Sequence, residues 1–163
     1  MKLIAHRGLT QGPDKALENS PNQIIKSLKD GFDCEIDVWY ANGEWWLGHD
    51  LAQYQIDWDF LKQPGLWIHA KNLMALHVLG ADHSLNFFWH QEDDYTLTSQ
   101  GYIWTYPGKQ IMSNSIMVMP EWRNPKLENL NYNCFGICSD YVERIKSLMP
   151  SDQNPEHSFP LCP

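Results

Sequence analysis

The chain has 163 residues, enough for one domain of ordinary size, and 43% hydrophobic with 13% aromatic residues supplies a core and excludes a disordered protein. Twelve basic against 20 acidic residues give a net charge of −8, which argues against duplex DNA or RNA as the main partner. No window holds the roughly 20 apolar residues of a membrane span, and Met1–Ala5 is too short for a signal peptide, so the expectation is a cytoplasmic protein. The four cysteines (Cys34, Cys134, Cys138 and Cys162) are then expected as reduced thiols. Cys134 and Cys138 have no second pair to complete a zinc site.

In chain order, Lys2–Ala5 reads as a short buried strand ending at His6-Arg7-Gly8, followed by a polar loop to Asn19. Ser20-Pro21 opens a helix with Ile24, Ile25 and Leu28 as its apolar stripe, closed by Gly31. Phe32–Tyr40 is a second strand, Asn42-Gly43 a tight turn, and Trp45–Leu47 the returning strand that delivers His49-Asp50. After a helical turn near residues 57–62, Leu66–Lys71 forms a strand and Asn72 caps a helix through Leu79. Residues 86–90, 101–106, 115–120 and 135–138 read as further strands. Asp140 with Glu143 resembles a capping box for a helix bearing Val142, Ile145 and Leu148. Residues 1–150 are therefore expected as a single domain, and 151–163 as a polar, proline-rich tail.

Strands alternating with helices predict an α/β fold with a mainly parallel sheet. The middle of the chain is poor in helix, and a complete (β/α)8 barrel takes about 250 residues. Any barrel here has lost helices.

Glu35-Ile36-Asp37 puts two carboxylates on one face of a strand, roughly 6–7 Å apart along the backbone. Two oxygens can converge there on a hard cation such as Mg²⁺ or Ca²⁺. His6 and Arg7 end the first strand, where parallel sheets place their sites. Arg clamps phosphate, and His exchanges protons near neutral pH. His49 supplies a second imidazole, and Lys71, two residues after His69 on the same strand face, a second cation.

The ordered set His6-Arg7-Gly8, Glu18-Asn19-Ser20, Glu35-Ile36-Asp37, Gly48-His49-Asp50 and Ile68-His69-Ala70-Lys71 resembles the glycerophosphodiester phosphodiesterase family over residues 2–72. Phe135–Asp140 resembles its last strand. The resemblance implies a compact TIM-type barrel with several helices shortened or missing, and a divalent metal. It implies His6 and His49 as the acid/base pair, Glu35 and Asp37 as metal ligands, and Arg7 and Lys71 as phosphate-binding residues. Glu18 and Asn19 would support the loop after His6.

His69 stands where that family carries an acidic third ligand. The expected ion is Mg²⁺ or Ca²⁺, with Mn²⁺ or Zn²⁺ admitted because an imidazole suits them better; the alternatives for His69 are to leave its place to water or to contact substrate. The short chain implies an open site or assembly with a second copy. Trp89, His90, Trp104, Tyr106 and Trp122 are candidate pocket residues, His90 and Trp104 foremost, with Glu18 at the same mouth. The expected activity is metal-dependent hydrolysis of a small phosphodiester, such as a glycerophosphodiester. The alternatives are a lyase forming a cyclic phosphate and a non-catalytic phosphate- or metal-binding module.

Overall fold

The computed structural model describes residues 1–150; the expected tail at 151–163, with Cys162, lies outside the described residues. In chain order the strands are β1 (Lys2–Ala5), β2 (Asp33–Ala41), β3 (Glu44–Leu47), β4 (Tyr54–Ile56), β5 (Leu66–Ala70), β6 (Phe87–Phe88), β7 (Tyr95–Leu97), β8 (Ile103–Thr105), β9 (Ser115–Val118) and β10 (Gly136–Ser139). The helices are α1 (Pro21–Lys29), α2 (Trp58–Leu61), α3 (Leu73–Leu79) and α4 (Val142–Leu148). Short 3₁₀ turns at His6–Gly8 and Pro120–Trp122 follow β1 and β9.

All ten strands join in one sheet. The run β6-β5-β2-β1-β10-β9-β8 is parallel throughout, while β3, β4 and β7 run antiparallel to their neighbours. β2 is its spine, nine residues long with no Gly or Pro. Its first residues pair with β1, its middle with β5, and its last four with β3 across the turn at Asn42-Gly43.

Side chains alternate across this sheet with period two. Ile4, Trp67, Phe88, Trp104, Ile116, Val118 and Cys138 form one buried cluster on the concave face. Leu3, Ala5, Cys34, Ile36, Val38, Ile68, Ala70 and Ile137 form the other, packed with Ile24 of α1 and with Val142 and Ile145 of α4. The residues between Cys34, Ile36 and Val38 therefore point the other way, and they are Glu35 and Asp37. The alternation that builds the outer core aims both carboxylates into the concavity.

The expected compact TIM-type barrel, with several helices shortened or missing, is not what the chain forms. The ten strands make a mixed sheet curled into a half-barrel with few, short helices. No α-helix occurs between α3 and α4. Residues 81–135 instead fold into short strands and turns, with positive φ at Gly101, Gly108, Met119, Leu127 and Asn129. β6 and β8 share no ladder; the gap is spanned by the stacked rings of Phe88 and Trp104, 4.5 Å between centroids, and by the Thr96 hydroxyl donating to the Trp89 carbonyl at 2.8 Å.

Several boundaries agree with the sequence reading. Pro21 opens α1, and the side chains of Asp57 and Asn72 cap α2 and α3 by accepting from Phe60 N and Ala75 N. β4 and β7, three residues each, escape a pattern-based reading because so short a run shows little alternation. The capping box at Asp140 and Glu143 does not form. Asp140 instead accepts from His6, and Glu143 accepts from Thr10 Oγ1 and Gln11 Nε2. Cys34, Cys134 and Cys138 are free thiols, and burial pushes the thiols of Cys34 and Cys138 well above their usual range.

Gly48 connects β3 to His49 at φ +145°, and a Cβ there would clash with the Leu51 carbonyl oxygen. Gly43, in the β2–β3 turn at φ +84°, has open space around the same position. Gly48→Ala is therefore expected to destabilise the fold by about 2 kcal/mol or more, and Gly43→Ala by about 1 kcal/mol. Urea denaturation midpoints measure the difference, and equal losses would show that the Leu51 contact is not limiting.

Candidate active site

The site forms on the concave face, from the carboxyl ends of β1 and β5 and the middle of β2. Glu35 and Asp37 are 2% and 0% exposed, so their charges need partners within the protein. Asp37 Oδ2 accepts from Asn19 Nδ2 at 2.9 Å and lies 3.2 Å from Arg7 Nε. Asp37 Oδ1 lies 3.1 Å from His69 Nδ1 and 3.5 Å from Lys71 Nζ. Burial alone would raise the Asp37 pKa, but His69, Arg7 and Lys71 together hold it well below the usual carboxylate range.

Asn19 is the buried clamp of this arrangement. Its side-chain carbonyl accepts from Asp37 N at 2.9 Å, and its own backbone N–H donates to the Arg7 carbonyl at 2.9 Å. It adopts φ +57°, and Arg7 adopts φ +53°, left-handed conformations uncommon outside glycine. Arg7 is held there because its backbone N–H also donates to Glu35 Oε2 at 3.1 Å. The Arg7 guanidinium reaches Glu18 Oε2 through Nη1 at 2.8 Å. Glu18 thus orients the arginine; it is not among the residues lining the cleft.

His6 follows β1 and is turned by Asp140, at the end of β10. Its Nδ1 lies 2.8 Å from Asp140 Oδ1, and its Nε2 lies 4.0 Å from Glu35 Oε2. A carboxylate there keeps hydrogen on Nδ1 and leaves Nε2 as the proton-exchanging atom. Burial opposes a charged His6, yet the Asp140 hydrogen bond and the Glu35 charge outweigh it and raise its pKa. Asp140 is fixed in turn by Glu121, whose Oε1 accepts from Asp140 N at 3.0 Å and from Ser139 Oγ at 2.8 Å. Burial raises the Glu121 pKa despite these hydrogen bonds. Sequence reasoning read Asp140 as a helix cap and not as a partner of His6; the available signal was its place just past a predicted strand end, as His6 is just past another.

His69 extends the cluster from β5. Its Nε2 faces the His90 carbonyl oxygen at 2.9 Å, so Nε2 carries a hydrogen and Nδ1 is turned toward Asp37 and toward Glu35 Oε1, 3.7 Å away. One ligand atom from each of Glu35, Asp37 and His69 lies within 4.8 Å of the others. Asp37 Oδ1 is buried, and with His69 Nδ1 at 3.1 Å and Lys71 Nζ at 3.5 Å it makes no hydrogen bond of good geometry. A buried oxygen left so, facing another carboxylate and an imidazole, fits a divalent cation.

These groups line one cleft of about 300 Å³, shared by His6, Arg7, Glu35, Asp37, His49, His69, Lys71, His90 and Trp104, with Tyr106 and Trp122 at its mouth. His49 is the most exposed of the predicted catalytic, phosphate-binding and metal residues, its side chain 36% exposed and its Nδ1 2.7 Å from Asp50 Oδ1. Trp104 is 5% exposed and stacked on Phe88, so it is mainly core. His90 contributes its backbone carbonyl to His69, while its ring lies near Tyr106 and its Nε2 is 2.6 Å from the Asp93 carbonyl. Tyr106 and Trp122 meet edge to face at 6.5 Å and are 37% and 60% exposed. Among the described residues no helix is long and apolar enough to cross a membrane.

No protein-family model, curated protein or solved structure matches this chain.

Burial works against a charged His69, but the adjacent Asp37 and Glu35 carboxylates raise its pKa from 6.5 to about 9. A raised histidine pKa stabilises the fold fully below about 6.5, and that contribution is lost as pH rises through about 9. In chelator-treated protein the His69 ring is therefore expected to titrate near 9 by histidine-edited NMR, with thermal stability falling over that window. A midpoint near 6.5 would mean that the carboxylates do not act on the ring.

Proposed function

We propose that the protein is a metal-dependent phosphodiesterase that hydrolyses a small, water-soluble phosphodiester, akin to the glycerophosphodiester phosphodiesterases it resembles in sequence. The observation that supports this most is the convergence of His6, Arg7, Glu35, Asp37, His49, His69 and Lys71 on one cleft, from segments up to 65 positions apart in the chain. Each brings a distinct ability that phosphoryl chemistry uses: proton exchange, anion binding or cation ligation.

Glu35, Asp37 and His69 are the residues that would hold a divalent ion, which supplies positive charge to the phosphoryl oxygens. Arg7 and Lys71 provide further positive charge at the same place. With Nη1 on Glu18 and Nε beside Asp37, the remaining N–H groups of Arg7 are free to bind a non-bridging oxygen. Lys71 Nζ sits at the cleft as a second cation.

His6, between the carboxylates of Asp140 and Glu35, retains hydrogen on both ring nitrogens and acts as the acid. His49 is open to solvent and acts as the base. His49 takes a proton from water as the water oxygen bonds to phosphorus; the far P–O bond breaks, and the leaving alkoxide takes the proton on His6 Nε2. The products are a phosphomonoester and an alcohol. The net charge of −8 favours a small diester over a polynucleotide, because only the local cations of the cleft oppose the surrounding field.

The test is turnover of a panel of phosphodiesters, glycerophosphodiesters included, with and without divalent metal, followed by phosphorus NMR. A phosphomonoester product is expected, with His6→Ala and His49→Ala each lowering kcat by about 10²–10⁴ while circular dichroism is unchanged. A cyclic phosphate as final product would replace hydrolysis by internal transfer. Metal-independent or absent turnover across the panel would overturn the reading in favour of a binding role.

A further inference from the structure

We infer that His69 makes the Glu35–Asp37 cluster a mixed nitrogen–oxygen site, selective for a borderline transition metal such as Mn²⁺ or Zn²⁺ over Mg²⁺ and Ca²⁺; the inference rests on the metal-dependent reading above. Its basis is the way the imidazole is held.

Three separate contacts fix the ring. Nε2–H donates to the His90 carbonyl at 2.9 Å, which leaves Nδ1 as the ligating atom. The face of the ring lies on Phe88, nearly parallel at 9° and 5.0 Å between centroids. Nδ1 then faces the two carboxylates, 3.1 Å from Asp37 Oδ1 and 3.7 Å from Glu35 Oε1. Donation of the outer ring nitrogen to a backbone carbonyl is the usual support of a metal-bound histidine, and it fixes both the tautomer and the direction of the lone pair.

A histidine serving only as a cation for Asp37 would do best with its N–H in line with the carboxylate. Here Nδ1 and Oδ1 are 3.1 Å apart, yet Oδ1 is buried and makes no hydrogen bond of good geometry. That arrangement suits two ligand atoms facing a common third centre. Nor can the ring rotate away to leave an all-oxygen site, because Phe88 occupies one face and the His90 carbonyl holds its far edge.

The selectivity follows from the donor set. Mg²⁺ and Ca²⁺ prefer oxygen alone, whereas imidazole nitrogen strengthens binding of first-row transition ions. Replacing a carboxylate by a neutral imidazole also removes one negative charge, which weakens a hard ion most. The Nδ1 proton leaves to solvent when the metal binds.

The experiment is calorimetric titration of the full chain with Mg²⁺, Ca²⁺, Mn²⁺ and Zn²⁺ separately, with no substrate present. Wild type should bind Mn²⁺ and Zn²⁺ at least about 10-fold more tightly than Mg²⁺ or Ca²⁺, and His69→Glu should narrow that ratio by about 10-fold. In electron spin-echo spectra, bound Mn²⁺ should show coupling to a nitrogen, lost in His69→Gln, a near-isosteric variant suited to the same pocket. Equal affinities in wild type, a ratio unmoved by His69→Glu, or absence of nitrogen coupling would each overturn the inference and leave metal-dependent hydrolysis standing. Folded wild-type protein that binds none of the four ions would overturn both.

Discussion

The constraint on which the rest of the site depends is the burial of two adjacent same-face carboxylates on the central strand. Glu35 and Asp37 cannot turn to solvent, because Cys34, Ile36 and Val38 between and around them are locked into the outer core. Two like charges in a poorly polarisable interior are tolerated only when positive groups and hydrogen-bond donors are brought to them. The surroundings do this from several segments at once: Asn19 and Arg7 from the loop after β1, His69 and Lys71 from β5, and the Arg7 backbone N–H itself. Even the unusual left-handed conformations of Arg7 and Asn19 follow from this need, since both place backbone groups in hydrogen bonds within the same small network.

How much of this was legible in the sequence depends on the range of the interactions involved. The Glu35-x-Asp37 alternation, the strand ends at His6 and Lys71, the helical turn near residues 57–62 and the cap at Asn72 are local patterns, and the structure places them as read. The role of Asp140 was not legible, for a local rule pointed elsewhere: Asp140 and Glu143 fit a capping box. A residue 134 positions away claimed Asp140 instead, and the α4 N-terminus forms without a side-chain cap. Tertiary demand overrode local preference because a charged hydrogen bond to a buried histidine is worth more than one cap.

The barrel failed for a different reason. Alternation of strands and helices was clear up to Leu79, and so was the shortage of helix beyond it, but the resemblance supplied a TIM-type barrel that the later strands do not build. Residues 81–135 lack a helical apolar stripe and are punctuated by glycine, asparagine and proline, so they bury their apolar side chains by stacking aromatic rings. Trp67, Phe88, Tyr102, Trp104 and Phe135 fill the concavity where a longer sheet would close on itself with aliphatic layers. The aromatic richness noted at the outset thus serves the core first. Tyr106 and Trp122 instead stand exposed at the mouth of the cleft that Trp104 also lines.

The same topology ties the site to the integrity of the whole sheet. β1 pairs with β10 along its full length, and that ladder sets His6 and Asp140 side by side at its end, with Ala5 opposite Ser139. β2 joins β1 through only two residue pairs, so the Arg7–Glu35 and Asn19–Asp37 contacts reinforce a junction that backbone hydrogen bonds make weakly. The polar network therefore has two effects: it neutralises the buried carboxylates and closes the seam between the first two strands. Loss of one partner would be felt both as an uncompensated charge and as a looser sheet.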